Sequence, residues 1–360
     1  MATPRFAIIG AGNGGQSFAA HLALLGFPVV LWDIEPDKVA AMQRTGSIRV
    51  MGAVVGEAPV ACITGDIGEA ARSADVLLIV LPTVYHGSVA RLLAPHLRNG
   101  QTLVLNPGGT GGALEVRATL DEVGCRASVV IAETDTLLYA CRSPLPGQAI
   151  IHGIKARVMT AALPASEGSA VVRLLNAAFP QFTAAPNVLV TSLMNGNAMM
   201  HPGPTVLNAG RIECKAEFEY YSEGITPAVA QVVERLDAER LAVARELGVQ
   251  VPSIREWYGT CYGVQGASLY EIVQQVRAYD GIRGPTSLNV RYLFEDVPTG
   301  LVPIAALGDA VGVRTPLARA VISLADGLLG RDFWQDGRSL ARLGLAGLSA
   351  AAIRQRVVGA

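Results

Sequence analysis

An apolar run, Phe6-Ala7-Ile8-Ile9, leads directly into Gly10-Ala11-Gly12-Asn13-Gly14-Gly15, and a second, Val29-Val30-Leu31-Trp32, ends in Asp33. Strand, glycine turn, helix, strand and acid in that order leave few folds open. Gly10 permits a tight turn, Gly12 lets backbone N–H groups approach a pyrophosphate, and Gly15 lets the helix at 16–25 pack closely on its strand. The helix start, entered through Asn13, turns a partial positive charge toward phosphates. Asp33 falls where a carboxylate accepts hydrogen bonds from the adenosine ribose. Ile34 and Glu35 supply no cation for a 2′-phosphate, which points to NAD(H) over NADP(H). The bland alternative is a glycine turn with no nucleotide.

The first half goes on alternating strands and helices. Residues 74–81 form an apolar run stopped by Pro82, which reads as a central parallel strand buried on both faces. A helix at 86–97 and strands at 102–105 and 128–131 complete the grammar of a doubly wound sheet, the Rossmann arrangement. Ligands sit beyond the carboxyl ends of such strands, which singles out Pro82, Thr83, Asn106 and residues 133–134 as a border for the nicotinamide. Ordinary strand-to-helix turn chemistry explains these residues equally well. After 184–187 the pattern becomes helical, at 217–221, 227–247, 254–262, 268–279 and 316–329. The expected architecture is α/β, with an N-terminal doubly wound Rossmann domain (1–185) and a C-terminal all-helical domain (186–360) that leaves a substrate cleft at the nicotinamide end.

Charge and cysteine usage narrow the partners. With 29 basic against 30 acidic side chains there is no net field to attract nucleic acid or anionic lipid. No segment offers the roughly 20 apolar residues of a membrane helix, and the N-terminus lacks a signal-peptide pattern. Five scattered cysteines without Cys-x-x-Cys spacing give no metal site and suit a reducing cytoplasm. Small molecules or another protein are the expected partners.

Two segments could carry chemistry. In Met194-Asn195-Gly196-Asn197-Ala198-Met199-Met200-His201-Pro202, Asn197 and His201 are spaced to share one helical face, and imidazole suits proton transfer near neutrality. A histidine satisfied by a backbone carbonyl beside a proline is the competing explanation. In the run from Asn289 to Pro303, Arg291 offers a planar fork for a carboxylate, and Asp296 could hold an imidazole in one tautomer. Equally, Arg291 and Glu295 form an i,i+4 surface pair and Asp296 opens a turn. Spacing alone does not bring Asp296 to His201.

These segments, together with Asn106-Pro107-Gly108-Gly109-Thr110-Gly111-Gly112-Ala113-Leu114-Glu115, Asp237-Ala238-Glu239-Arg240 and Glu256-Trp257-Tyr258, resemble the opine dehydrogenase family, most closely its bacterial N-(1-D-carboxylethyl)-L-norvaline dehydrogenase branch. The resemblance spans nearly the whole chain. It implies NADH-dependent reductive condensation of an α-keto acid, such as pyruvate, with the amine of an L-amino acid. It also implies His201 as acid/base paired with Asp296, Arg291 on a substrate carboxylate, and a homodimer. Two rivals stand beside it. A reductase of one small keto or hydroxy acid often works through a lysine, and the chain holds only Lys38, Lys155 and Lys215. A non-catalytic NAD(H)-sensing module would use the nucleotide site alone.

Overall fold

The computed structural model describes residues 3–359; the outermost positions of the two expected domains, 1–2 and 360, lie outside the described residues. The chain divides into two compact units. One takes the described residues through Gly108, then Gly112–Thr191 and the chain end from Val357; the other takes Gly109–Gly111 and Ser192–Arg356. The main crossing, at Thr191–Ser192, falls a few residues beyond the expected 185/186 boundary.

In the first unit, apolar runs become strands wherever both faces can be covered. The strands are β1 (Phe6–Ile9), β2 (Val29–Trp32), β3 (Ser47–Gly52), β4 (Gly56–Pro59), β5 (Cys62–Thr64), β6 (Val76–Ile79) and β7 (Thr102–Leu105). They continue with β8 (Val130–Thr134), β9 (Tyr139–Arg142), β10 (Gln148–Ile154), β11 (Val158–Leu163) and β12 (Phe182–Ala184). Eight of them form one sheet in the order β12-β11-β8-β7-β6-β1-β2-β5. Every residue of β1, β6 and β7 is buried, which is why these strands read as unbroken apolar runs. β1 pairs in parallel with β2 on one side and β6 on the other, so connections leave it in opposite directions and a crevice opens at the carboxyl ends. Among the described residues, only β11 against β8 is antiparallel in this sheet.

A second sheet, β4-β3-β10-β9, went unread in the sequence. Helix Asn13–Leu24 lies against both sheets, touching β1 and β2 as well as β3, β4, β9 and β10. That double contact buries Phe18 completely, edge-on to Tyr139 at 4.7 Å and Phe179 at 5.6 Å.

The second unit is helical, as its periodicity predicts. The 20-residue helix Pro227–Glu246 starts where Thr226 accepts from the Val229 N–H and Pro227 takes the first turn. It packs on helices Pro202–Leu207, Val302–Val311 and Pro316–Leu329. Helix Ile254–Tyr262 carries a full capping box between Ser253 and Glu256 and stops at Gly263 in the left-handed region, φ 68°. The expected helix at 217–221 does not form. Tyr220 N–H bonds the Ile282 carbonyl at 2.8 Å, Gly284 N–H bonds the Phe218 carbonyl at 2.8 Å, and Glu219 bridges to Arg283. Phe218 and Tyr220 are buried on either side of half-buried Glu219, an alternation of period two that outweighs helical spacing in so short a run. The expected helix at 268–279 is likewise broken, into Leu269–Val273 and a 3-10 turn, Arg277–Tyr279.

Candidate active site

At the carboxyl ends of β1 and β2 the three glycines take the conformations their spacing predicts. Gly10 has φ 106°, and a Cβ there would lie 2.5 Å from Leu81. A Cβ on Gly15 would sit 1.7 Å from the Gly10 carbonyl oxygen, so helix and strand approach as only glycine allows. At Gly12 a Cβ meets nothing within 4 Å. Space therefore stands open at the start of helix Asn13–Leu24, where no side chain caps the first-turn N–H groups. Asn13 itself is turned to another task, its side-chain oxygen accepting from Ser143 N–H at 2.7 Å. Asp33 is buried at the end of β2, where its carboxylate accepts from Ala11 N–H at 2.7 Å and Glu35 N–H at 3.0 Å. Lys38 Nζ lies 3.4 Å from Asp33 and 2.9 Å from Glu35, so this cation is already matched by two carboxylates.

Beyond β6, Thr83 is buried at the head of a 3-10 turn, Thr83–Tyr85, which Pro82 precedes. Beyond β7, Asn106 is 1% exposed, yet neither its amide nitrogen nor its oxygen has a hydrogen-bond partner. An amide buried with both polar atoms unmet is costly unless a ligand meets them. The uncapped helix start, the open space over Gly12, the Asp33 carboxylate and this orphaned amide together fit a nicotinamide dinucleotide.

The helical unit assembles a second constellation. His201 ends helix Gly196–Met200 because Pro202, first residue of helix Pro202–Leu207, has no N–H to continue the ladder. Its Nδ1 is 2.8 Å from Asp296 Oδ2, although the two residues are 95 positions apart, and its Nε2 is 3.2 Å from the Tyr221 hydroxyl. Tyr292 stacks on the ring, with centroids 4.1 Å apart and an interplanar angle of 23°. Asp296 leads into a π-helical turn, Val297–Leu301, a distortion common where a side chain must be aimed. Arg291 Nε donates to Glu295 Oε2 at 2.5 Å; the arginine side chain is 60% exposed and the glutamate 4%. The expected i,i+4 contact forms, and the guanidinium stays open to solvent.

Burial pushes the Asp296 carboxyl above its ordinary range, and the hydrogen bond and charge of His201 pull it back in part. Burial also holds the Tyr221 phenol well above its ordinary value, reinforced by the neighbouring rings of Tyr279, Tyr292, Tyr220 and Tyr262. Asn197 contributes only its carbonyl, which accepts His201 N–H at 3.0 Å, while its side chain is exposed. Sequence reasoning missed Tyr221, gave Tyr292 no role, and read Glu295 only as a surface partner of Arg291, whereas it is buried. Tyr292 and Glu295 lie within the run from Asn289 to Pro303, whereas Tyr221 was hidden inside the helix that does not form. Among the described residues no group of three or more His, Cys, Asp or Glu could hold a metal ion.

Comparisons with known proteins bear on both constellations. A family model for the N-terminus of NAD-dependent glycerol-3-phosphate dehydrogenase matches residues 5–117. One for the alpha-helical domain of NAD/NADP octopine/nopaline dehydrogenase matches residues 184–329. An opine dehydrogenase of Arthrobacter sp. (strain 1C) is 48% identical over 98% of both chains. The chain belongs to the opine dehydrogenase family. It is an NAD(H)-dependent oxidoreductase of the class acting on CH–NH donors, and its N-terminal unit is the family's NAD(H)-binding domain. The solved complex of octopine dehydrogenase with NADH and L-arginine covers 98% of both chains at a TM-score of 0.82 and 21% identity. The complex with NADH and pyruvate superposes at a TM-score of 0.80. At that identity the likeness is one of fold.

Proposed function

We propose that the chain joins an α-keto acid such as pyruvate to the amine of an L-amino acid and reduces the resulting imine to an N-(1-carboxyalkyl) amino acid. The observation that carries this reading is the His201 ring fixed at Nδ1 by Asp296, on the same short segment that bears Arg291. Condensation passes through a carbinolamine whose hydroxyl must leave as water, which needs a proton donor; reversal needs a base, and one imidazole serves both. An ionised Asp296 holds the ring in one tautomer and stabilises its protonated form. Arg291 has its Nε engaged by Glu295, leaving its two terminal nitrogens to clamp a substrate carboxylate. Bound NADH supplies the hydride. Gly10, Gly12, Gly15, the backbone of Asn13, Asp33, Pro82, Thr83 and Asn106 form its seat in this reading, with Asn197 at the edge of the substrate site.

The same reading places the protein as a homodimer in a reducing cytoplasm, where its free cysteines stay reduced. No helix among the described residues is long and apolar enough to cross a membrane.

Replacing His201 with asparagine tests the reading. NADH oxidation that depends on both pyruvate and an amino acid should fall by at least about a hundredfold, the lower bound for a general acid–base group, while NADH affinity stays within about twofold. Turnover that survives His201→Asn removes the imidazole from the mechanism. Turnover that proceeds without any amine makes the protein a reductase of the keto acid alone.

A further inference from the structure

Both nitrogens of the His201 ring are already engaged. Nδ1 faces Asp296 at 2.8 Å, Nε2 faces the Tyr221 hydroxyl at 3.2 Å, and Tyr292 covers one face. With Asp296 ionised, Nδ1 carries a hydrogen, so every proton the imidazole exchanges passes through Nε2. Tyr221 stands at that nitrogen. Its ring is pinned, stacked on Tyr279 at 3.8 Å and 13° and edge-on to Tyr220 at 5.1 Å and 85°, so the hydroxyl cannot readily swing aside. A phenol both donates and accepts, and can therefore take a proton on one side while releasing its own on the other.

We infer that Tyr221 is the proton relay of the dehydration step, standing between His201 Nε2 and the hydroxyl of the carbinolamine; this rests on the acid/base reading of His201 above. In the forward direction the substrate nitrogen lone pair forms the C=N bond as the C–O bond breaks. The departing hydroxyl takes the Tyr221 proton and leaves as water. The Tyr221 oxygen takes the Nε2 proton in the same motion, so the imidazolium becomes neutral and the positive charge passes to the iminium. Free phenolate never accumulates, in keeping with a phenol held above its ordinary range by burial. Hydride addition then needs nothing further from Tyr221.

Tyr221→Phe keeps the ring and its stacking and removes only the oxygen. The expected result is a fall in kcat of about a hundredfold, with KM for NADH, pyruvate and the amine each within about twofold. Rates in mixtures of H2O and D2O supply a readout that a packing role would not move. The wild-type enzyme should give a curved dependence on deuterium fraction, from two protons in flight, and Tyr221→Phe a straight one. A straight line for the wild-type enzyme, a kcat within threefold of it in Tyr221→Phe, or a loss carried by KM alone would overturn the relay. If His201→Asn is inactive while Tyr221→Phe is active, only the relay falls. If both stay active, the acid/base reading has failed first.

Discussion

Side chain by side chain, the role proposed for Arg291 is one that a lysine would not fill. Glu295 takes Nε, and in that role the remaining edge of the guanidinium would meet a substrate carboxylate as a fork. In Arg291→Lys a point charge replaces that fork, and one charge-assisted hydrogen bond, about 1.5–3 kcal/mol, is lost. KM for one carboxylate substrate should rise on the order of 10- to 100-fold with a smaller change in kcat; steady-state kinetics with each substrate varied in turn would show it, and unchanged constants would return Arg291 to the surface. The residues legible in the sequence were those whose job is local. Gly10, Gly15 and Asp33 are dictated by contacts within one strand-turn-helix-strand unit: a Cβ on either glycine would clash, and the Asp33 carboxylate accepts from Ala11 N–H. The pairing of His201 with Asp296 bridges 95 positions and came from family resemblance, not spacing. Tyr221 was lost because two adjacent tyrosines carry no periodicity of their own.

Elements with their own start and stop signals were the easiest to read. Helix Pro316–Leu329 has proline in its first turn and Gly330 in the left-handed region at φ 60°, and both ends fall where the sequence puts them. The second sheet has no such independence. β3 alternates buried and exposed residues over a short run; it pairs with the following β4, but joins β9 only through β10, a partner lying far along the chain. Where chain segments distant in sequence meet, charge can be trapped. Asp135, between β8 and β9, accepts from the Met159 N–H of β11 at 3.0 Å. Burial pushes its carboxyl up to about 6, against the pull of Lys155, the Met159 hydrogen bond and Arg157. A carboxyl that holds its proton more tightly folded than unfolded stabilises the fold fully below the unfolded value near 3.8, and that contribution disappears as pH rises through about 6. Asp135→Asn cannot ionise and keeps an acceptor for Met159. Relative to the wild type it should gain about 1–3 kcal/mol between pH 4 and pH 7, read from urea midpoints. A difference that is flat with pH would refute this.

The whole molecule is a nucleotide unit and a helical unit, and the first is the family's NAD(H)-binding domain. Heating should therefore depart from a single two-state transition, and NADH should raise the component belonging to the first unit. At a hundred times its Kd the cofactor adds about 2.7 kcal/mol, or about 5–10 °C for a unit of this size. Scanning calorimetry with and without NADH measures it, and equal shifts in Asp33→Leu and wild type would contradict the role of that carboxylate. Thr110 adds a practical corollary. Its N–H donates to the Thr299 carbonyl at 3.0 Å, its hydroxyl meets Ser192 and Asn195, and its carbonyl accepts from fully buried Arg338 at 2.8 Å. All of these belong to the helical unit, while the chain on either side of Gly109–Gly111 belongs to the other. A gene severed once, after Thr191, would give a first fragment whose threonine has lost every anchor and a second fragment with a gap among its helices. Chimeras between relatives should accordingly exchange Gly109–Gly111 together with the C-terminal half, as a small passenger carried with the cargo it fastens.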